Sequence, residues 1–435
     1  MKTICLYFEI HQIIHLKRYR FFDIGTDHYY FDDYANDTSI SNIAANSYVP
    51  ALNTLIKMAR ESEGAFKVAL SLSGVGLEQL ERYAPQVIDL LQELNGTGCV
   101  EFIAEPYSHG LASLAPNGEQ SFRDEVKRQV EKINQLFGQK PKVFRNSSLI
   151  YDDEIGDMVA DMGFKGILTE GAKHILGWKS PHYLYHCVQN PNLKVFTRDY
   201  KLSDDISLRF SNPSWEAYPL MADKYIDWIA QSPEEDGVFN IFMELCALGI
   251  YQPLSSNILD FMAGLPAAAK AAGIGFQTPS EVIKTHKSVS EIEVPYPMSW
   301  NDEERDISCW LGNVMQREAF NKLYSIGERV ILTGDKHIRQ DWDYLQASNN
   351  FRFMTTKNNA VSMDRGIYES PYDAFTNYMN ILGDFLQRVN WALPLDIDTE
   401  ELNAFQTTIS NQDKKIQALE KQVARLKSAA GEKKK

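Results

Sequence analysis

The chain has 435 residues, with 58 Asp plus Glu against 44 Lys plus Arg, a formal charge of −14. That balance excludes a general nucleic-acid binder, which needs a basic face. At 44 % apolar and 23 % charged the composition is ordinary for a globular protein, and the length exceeds what one compact core usually reaches, so a large domain plus a smaller part is expected.

Seven short β-branched and aromatic runs recur along the first two thirds of the chain: residues 3–10, 66–73, 99–105, 142–146, 165–169, 193–197 and 238–245. Several are almost continuously apolar, as strands buried on both faces are. Helical patterns lie between them. Residues 76–94 carry Leu77, Leu80, Tyr83, Val87 and Leu91 at three-to-four spacing, and 119–136 repeats the pattern. Alternating strand and helix predicts a parallel α/β architecture, and seven strands over residues 1–290 favour a barrel over an open sheet. Polar residues at the C-terminal ends of its strands are then the place to look for chemistry.

Past Pro295 and Pro297 the pattern turns helical, over 303–321 and 371–390, which predicts a helical region across 291–395. In 396–435, Leu402, Phe405, Ile409, Gln412, Ile416, Leu419, Val423 and Leu426 follow an unbroken 3,4 spacing before a basic tail. This reads either as a coiled-coil seam for self-association or as a helix packing back on its own domain.

The apolar run 4–8 is cut by Glu9 and His11 before it reaches leader length. No uncharged stretch approaches the roughly 20 residues that cross a bilayer. Cys5, Cys99, Cys187, Cys246 and Cys309 are odd in number and form no C-x-x-C pair. A soluble cytoplasmic protein without membrane contact, cofactor or structural zinc is the expectation.

Strand ends supply the candidate residues. The first ends Glu9-Ile10-His11-Gln12, the third reaches Glu105 and then His109, and the fourth leads through Ser148 to Tyr151. Glu244 closes the seventh run, where a carboxylate leaving an apolar strand must be paired or else shifts towards general-acid range. Asp204, Arg209 and Trp215 offer charge and an aromatic face. Glu105 with His109 would be a thin metal set, and the H-x-x-x-H pairs His11/His15 and His182/His186 have no Asp-rich strand end beside them.

The runs 7–12, 17–25, 27–33, 98–105, 144–151, 162–179, 202–215 and 369–385 resemble, in the same order, the α-amylase-type members of glycoside hydrolase family 57. The resemblance covers nearly all of residues 1–390 and implies an incomplete seven-stranded barrel, a helical region and α-glucan substrates. It also implies a retaining mechanism in which one carboxylate attacks the anomeric carbon while another protonates the leaving oxygen. In the family pattern Arg-Asn-Thr-Glu-Leu-Ile-Tyr the Glu is the nucleophile; here Arg145 to Tyr151 reads Arg-Asn-Ser-Ser-Leu-Ile-Tyr, with Ser148 in its place. The pattern Met-Asp-Tyr-Glu-Thr-Phe-Gly-Glu-His carries the acid/base Asp; here Glu244 stands there, longer by one methylene, roughly 1.5 Å.

Unassisted, a serine hydroxyl does not replace a carboxylate nucleophile. The expectation is therefore an α-amylase-like protein, catalytically impaired or inactive, that binds α-glucan or maltooligosaccharide through His11, Gln12, Glu105, His109, Asp204, Arg209 and Trp215. Two alternatives stand beside it. One is an active retaining or inverting α-amylase or 4-α-glucanotransferase, with Glu105 or the Glu154 region as the base. The other is a metal-dependent hydrolase like the polysaccharide deacetylases.

Overall fold

The structure, a computed structural model, describes residues 2–357, 366–393 and seven single positions between 407 and 419. Its longer strands are β1 (Thr3–Ile10), β2 (Val68–Leu72), β3 (Val100–Ile103), β4 (Val143–Arg145), β5 (Gly166–Glu170), β6 (Leu184–Cys187), β7 (Lys194–Arg198) and β8 (Val238–Glu244). All but β6 coincide with the seven runs expected from sequence, β5 and β7 each running one residue further. β6 pairs antiparallel with β7; its four residues show too little alternation to stand out.

The order β8-β1-β2-β3 is parallel throughout, as is β4-β5-β7. A parallel bridge from Ala104 to Phe144 joins β3 to β4, and Asp199 N donates to Asn240 O at 2.8 Å between the end of β7 and β8.

Successive strand residues point to opposite faces, and here the parity is consistent. Ile4, Leu6 and Phe8 of β1, with Phe239, Ile241 and Met243 of β8, pack outwards against helices such as Val49–Glu61 and Ile258–Ala271. Cys5, Tyr7, Ala69, Ile103, Val143, Leu168, Phe196 and Phe242 fill a separate inner core. Continuing the inner parity to the C-terminal ends gives Glu9, Ser71, Glu105, Arg145, Glu170, Arg198 and Glu244. A polar layer therefore caps the apolar inner core, and the site is built there.

The helix expected over 76–94 is two, Gly74–Tyr83 and Pro85–Gly96. Proline lacks the N–H that would continue the first helix, and its ring clashes with the preceding turn; Ala84 leaves helical geometry at φ −146°. The helix expected over 303–321 is likewise replaced by Ser308–Leu311 and Val314–Tyr324, separated at Asn313, whose side chain and that of Gln316 form a capping box. By contrast Glu119–Phe137 runs nearly as expected and stops at Gly138, which takes the left-handed conformation (φ 70°) that glycine adopts without strain.

A further core, around Trp310, Trp342 and Phe385, also includes Phe144, Ile167 and Tyr185 from the strand region. The last long helix, Pro371–Ala392, clamps the loop after β1. Its buried Asp384 accepts from Gly25 N (2.7 Å), His28 Nδ1 (2.9 Å) and Tyr30 OH (2.5 Å). Of the heptad seam, Leu402, Phe405, Ile409, Ile416, Val423 and Leu426 lie outside the described residues, as does the basic tail. Among the described residues no helix is long and apolar enough to cross a membrane.

His182 lies between two acids, Nε2 at 2.6 Å from Asp199 and Nδ1 at 2.7 Å from Asp236. Burial pulls its pKa down, but the two aspartates outweigh it and the net shift is upward. Its contribution to stability is thus complete below the ordinary histidine pKa of about 6.5 and fades as pH rises through the higher folded value. His182→Gln is expected to cost about 2 kcal/mol at pH 6 and clearly less at pH 9, read from urea denaturation at both pH values.

Candidate functional site

Arg145 is wholly buried at the end of β4, and its surroundings replace the water it loses. Its Nη1 and Nη2 donate to Glu9 Oε1 and Oε2 at 2.5 and 2.9 Å, and Nη1 reaches Glu105 Oε2 at 3.1 Å. Ser71 Oγ donates to the same Glu105 oxygen at 2.8 Å. A second cluster lies across the layer: Arg198 donates to Glu170 (3.1 Å), Asp204 (2.5 Å) and Phe242 O (2.8 Å), and Arg305 also reaches Glu170 (3.3 Å). The ring of Trp300 joins the two, 5.5 Å from the Arg145 guanidinium and 5.7 Å from that of Arg198.

Above Arg145 opens a cavity of about 140 Å³. Glu9, His11 and His109 form one side, Glu244 and Tyr251 another, and Ser148, Trp300, Trp310 and Arg352 complete it. The His11 and His109 rings are stacked 4.1 Å apart, His109 Nδ1 is 3.2 Å from Glu9, and His11 Nδ1 is 2.7 Å from Ser73 Oγ. Burial, then Arg145, lowers His11 to about 3, and His109 is depressed by burial, then by the adjoining His11 and Arg145, so both are neutral near pH 7. Burial pushes Glu9 up to about 8 against the pull of Arg145, and raises Glu105 likewise.

Ser148 and Leu149 both have left-handed backbone, φ 52° and 55°, a geometry that costs non-glycine residues roughly 1–2 kcal/mol each. Leu149, packed in the inner core, and the bond from Trp300 N to Ser148 O (3.2 Å) hold the turn in place. Glu244, in the same lining, accepts hydrogen bonds from Tyr251 OH and from Cys246 Sγ (3.2 Å).

Of the residues expected from sequence, His11, Gln12, His109, Ser148 and Glu244 meet at the cavity. Gln12 is steadied by a 3.0 Å bond to Tyr48 OH. Glu105 lies beneath, wholly buried. The other three lie elsewhere: Asp204 is bound by Arg198 and Arg305, Arg209 pairs with Asp205 at 2.7 Å, and Trp215 packs edge-on against Trp228. Glu154 is exposed in the first turn of helix Asp153–Asp161, away from the cavity lining. Sequence reasoning passed over Glu9 and Arg145, although strand parity points to both. Trp300, Tyr251 and Arg352 come from loops and a helix that carry no local signal.

Glu9, Glu105 and His109 each place a ligand-type atom within 4.8 Å of the others. Arg145 Nη1 already sits among them, at 2.5, 3.1 and 3.4 Å, so the guanidinium holds the place and the charge of a cation there. Neither H-x-x-x-H pair forms a joint ligand set: His182 is taken by two aspartates, and His11 by Ser73.

Arg145→Met would leave the buried carboxylates without their cation and is expected to cost about 3–5 kcal/mol at pH 8. The loss should shrink towards pH 5, where the carboxyls take up protons. Adding Glu9→Gln and Glu105→Gln should recover most of it. Denaturant titration of the single and triple variants at both pH values measures this.

The model for glycosyl hydrolase family 57 matches residues 5–295. A Methanocaldococcus jannaschii protein described as "Putative alpha-amylase" is 38 % identical over 371 residues, covering 82 % of this chain and 78 % of its own. Two solved structures share the fold at low identity. The GH57-type branching enzyme of Pyrococcus horikoshii has TM-score 0.65 at 13 % identity, with 93 % of this chain and 94 % of that one covered. The 4-alpha-glucanotransferase of Thermococcus litoralis has TM-score 0.58 at 14 % identity, with 80 % of this chain covered but only 56 % of the longer enzyme. The family model spans the residues of the charged layer on the strands together with Ser148 and Glu244 of the cavity, and the chain belongs to glycosyl hydrolase family 57.

Proposed function

We propose that the protein binds α-glucan at the central cavity without running the two-step retaining displacement. The observation that carries this reading is Ser148, a hydroxyl on the cavity wall at the position where the family pattern has the nucleophilic carboxylate. Glu244 faces it with a carboxylate of the wrong length, and the other carboxylate at the cavity, Glu9, is committed to Arg145 through two hydrogen bonds. Stacked neutral imidazoles and two indoles offer faces and hydrogen-bonding edges suited to an uncharged sugar. Losing the covalent step removes several powers of ten in rate, each about 1.4 kcal/mol of barrier.

In the same reading the seven parallel strands of residues 1–290 act as an incomplete barrel holding the sugar, 291–395 supplies Trp300, Trp310 and Arg352 as its cover, and 402–426 mediates self-association. The heptad spacing supports the last point, and solution mass with and without residues 400–435 tests it: halving on truncation is expected.

Calorimetry with maltooligosaccharides should register binding, while reducing-sugar release stays at the level of a Glu244→Gln control. Release well above that control would instead favour an active hydrolase or glucanotransferase. The double variant Ser148→Glu with Glu244→Asp restores both carboxylates and is expected to gain measurable hydrolysis of the same sugars.

A further inference from the structure

The cavity's 140 Å³ is well below the roughly 300–1,000 Å³ of common small-molecule sites, so it takes little more than a single sugar ring. A second hollow of about 410 Å³ neighbours it. Ile13 lines both. On the far side the short helix Ser348–Arg352 does the same, presenting Asn349 to the cavity and Asn350 to the hollow. The two spaces thus lie side by side, with Ile13 and the helix Ser348–Arg352 bordering both.

The outer wall is helix Asp33–Ile43. It turns Ala35, Thr38, Ser39 and Asn42 towards the groove, the i, i+3, i+4, i+7 positions of one helical face. The hydroxyls of Thr38 and Ser39 have no hydrogen-bond partner among the described residues. At the mouth the Tyr34 ring is 82 % exposed, and Tyr368 contributes a second ring to the lining. The one carboxylate in the lining, Asp32, is occupied in capping its own helix at Ala35 N, 2.9 Å. Free hydroxyls beside aromatic faces, with little unpaired charge, suit a neutral polyol whose apolar C–H face lies on a ring while its hydroxyls reach hydrogen-bonding groups.

We propose that this groove is a second glucan subsite: a chain whose end sits in the cavity lays its following residues along helix Asp33–Ile43, with Tyr34 as the stacking platform. The inference rests on the reading that the cavity itself binds α-glucan.

Calorimetric titration of the full-length protein with maltose, maltotetraose and maltohexaose tests it. Maltohexaose is expected to bind about tenfold or more tighter than maltose. In Tyr34→Ala, and in Ser39→Trp, which fills the groove, that gain should fall below about threefold while maltose affinity stays within about twofold. Equal affinity for all three sugars in the wild type, or an unchanged gain in Tyr34→Ala, overturns the groove alone. No binding of any sugar overturns the cavity reading and the groove together. Tyr34 is a surface residue, so its variant carries the test even if Ser39→Trp misfolds.

Discussion

Burying two arginines among acids at one end of a parallel strand array is the constraint on which the site depends. A guanidinium taken out of water is tolerated only when its donors and charge are met locally. Arg145 achieves this with Glu9, Glu105 and the ring of Trp300; Arg198 does so with Glu170, Asp204, a backbone carbonyl and the other side of the same indole neighbourhood. These contacts come from strands far apart in sequence, so the charged layer fixes how the strand ends sit relative to one another. The cavity above inherits that rigidity.

The strained turn at Ser148 and Leu149 depends on the same layer. Two consecutive left-handed non-glycine residues persist only where their surroundings impose the geometry, here through Leu149 in the inner core and Trp300 over Ser148. A turn of this kind pushes one side chain into the cavity. The side chain that this turn presents is the Ser148 hydroxyl. Glu244, held by Tyr251 and Cys246, faces it without a second free carboxylate, which is why the proposed role centres on binding.

Much of this was legible in sequence because strands buried on both faces announce themselves as short apolar runs, and seven of the eight longer strands lie where those runs lie. Helix interiors were equally legible, but breaks at Pro85 and Asn313 were read through, since hydrophobic spacing on either side of a break can stay in phase. Of the residues expected from strand ends, His11 and Glu244 reach the cavity, while Glu105 is buried outside its lining in contact with Arg145. Asp204, Arg209 and Trp215 were grouped with them by resemblance of a run, yet Asp204 serves Arg198, Arg209 pairs with Asp205, and Trp215 packs against the outer core. Proximity in sequence carried no information about which face of the fold each would reach.

By itself the sequence determined the α/β pattern, the helical region that follows and the family, because each depends on local periodicity or on residue identity in an ordered run. Only the tertiary structure decided that Glu9 is tied to Arg145, that an arginine occupies the one metal-like grouping among the described residues, and that Ile13 borders both the cavity and a groove beside Tyr34. Those are statements about distance between residues separated by tens to hundreds of positions. They follow from strand register, side-chain parity and the requirement that buried charge be paired, which act only once the chain is folded.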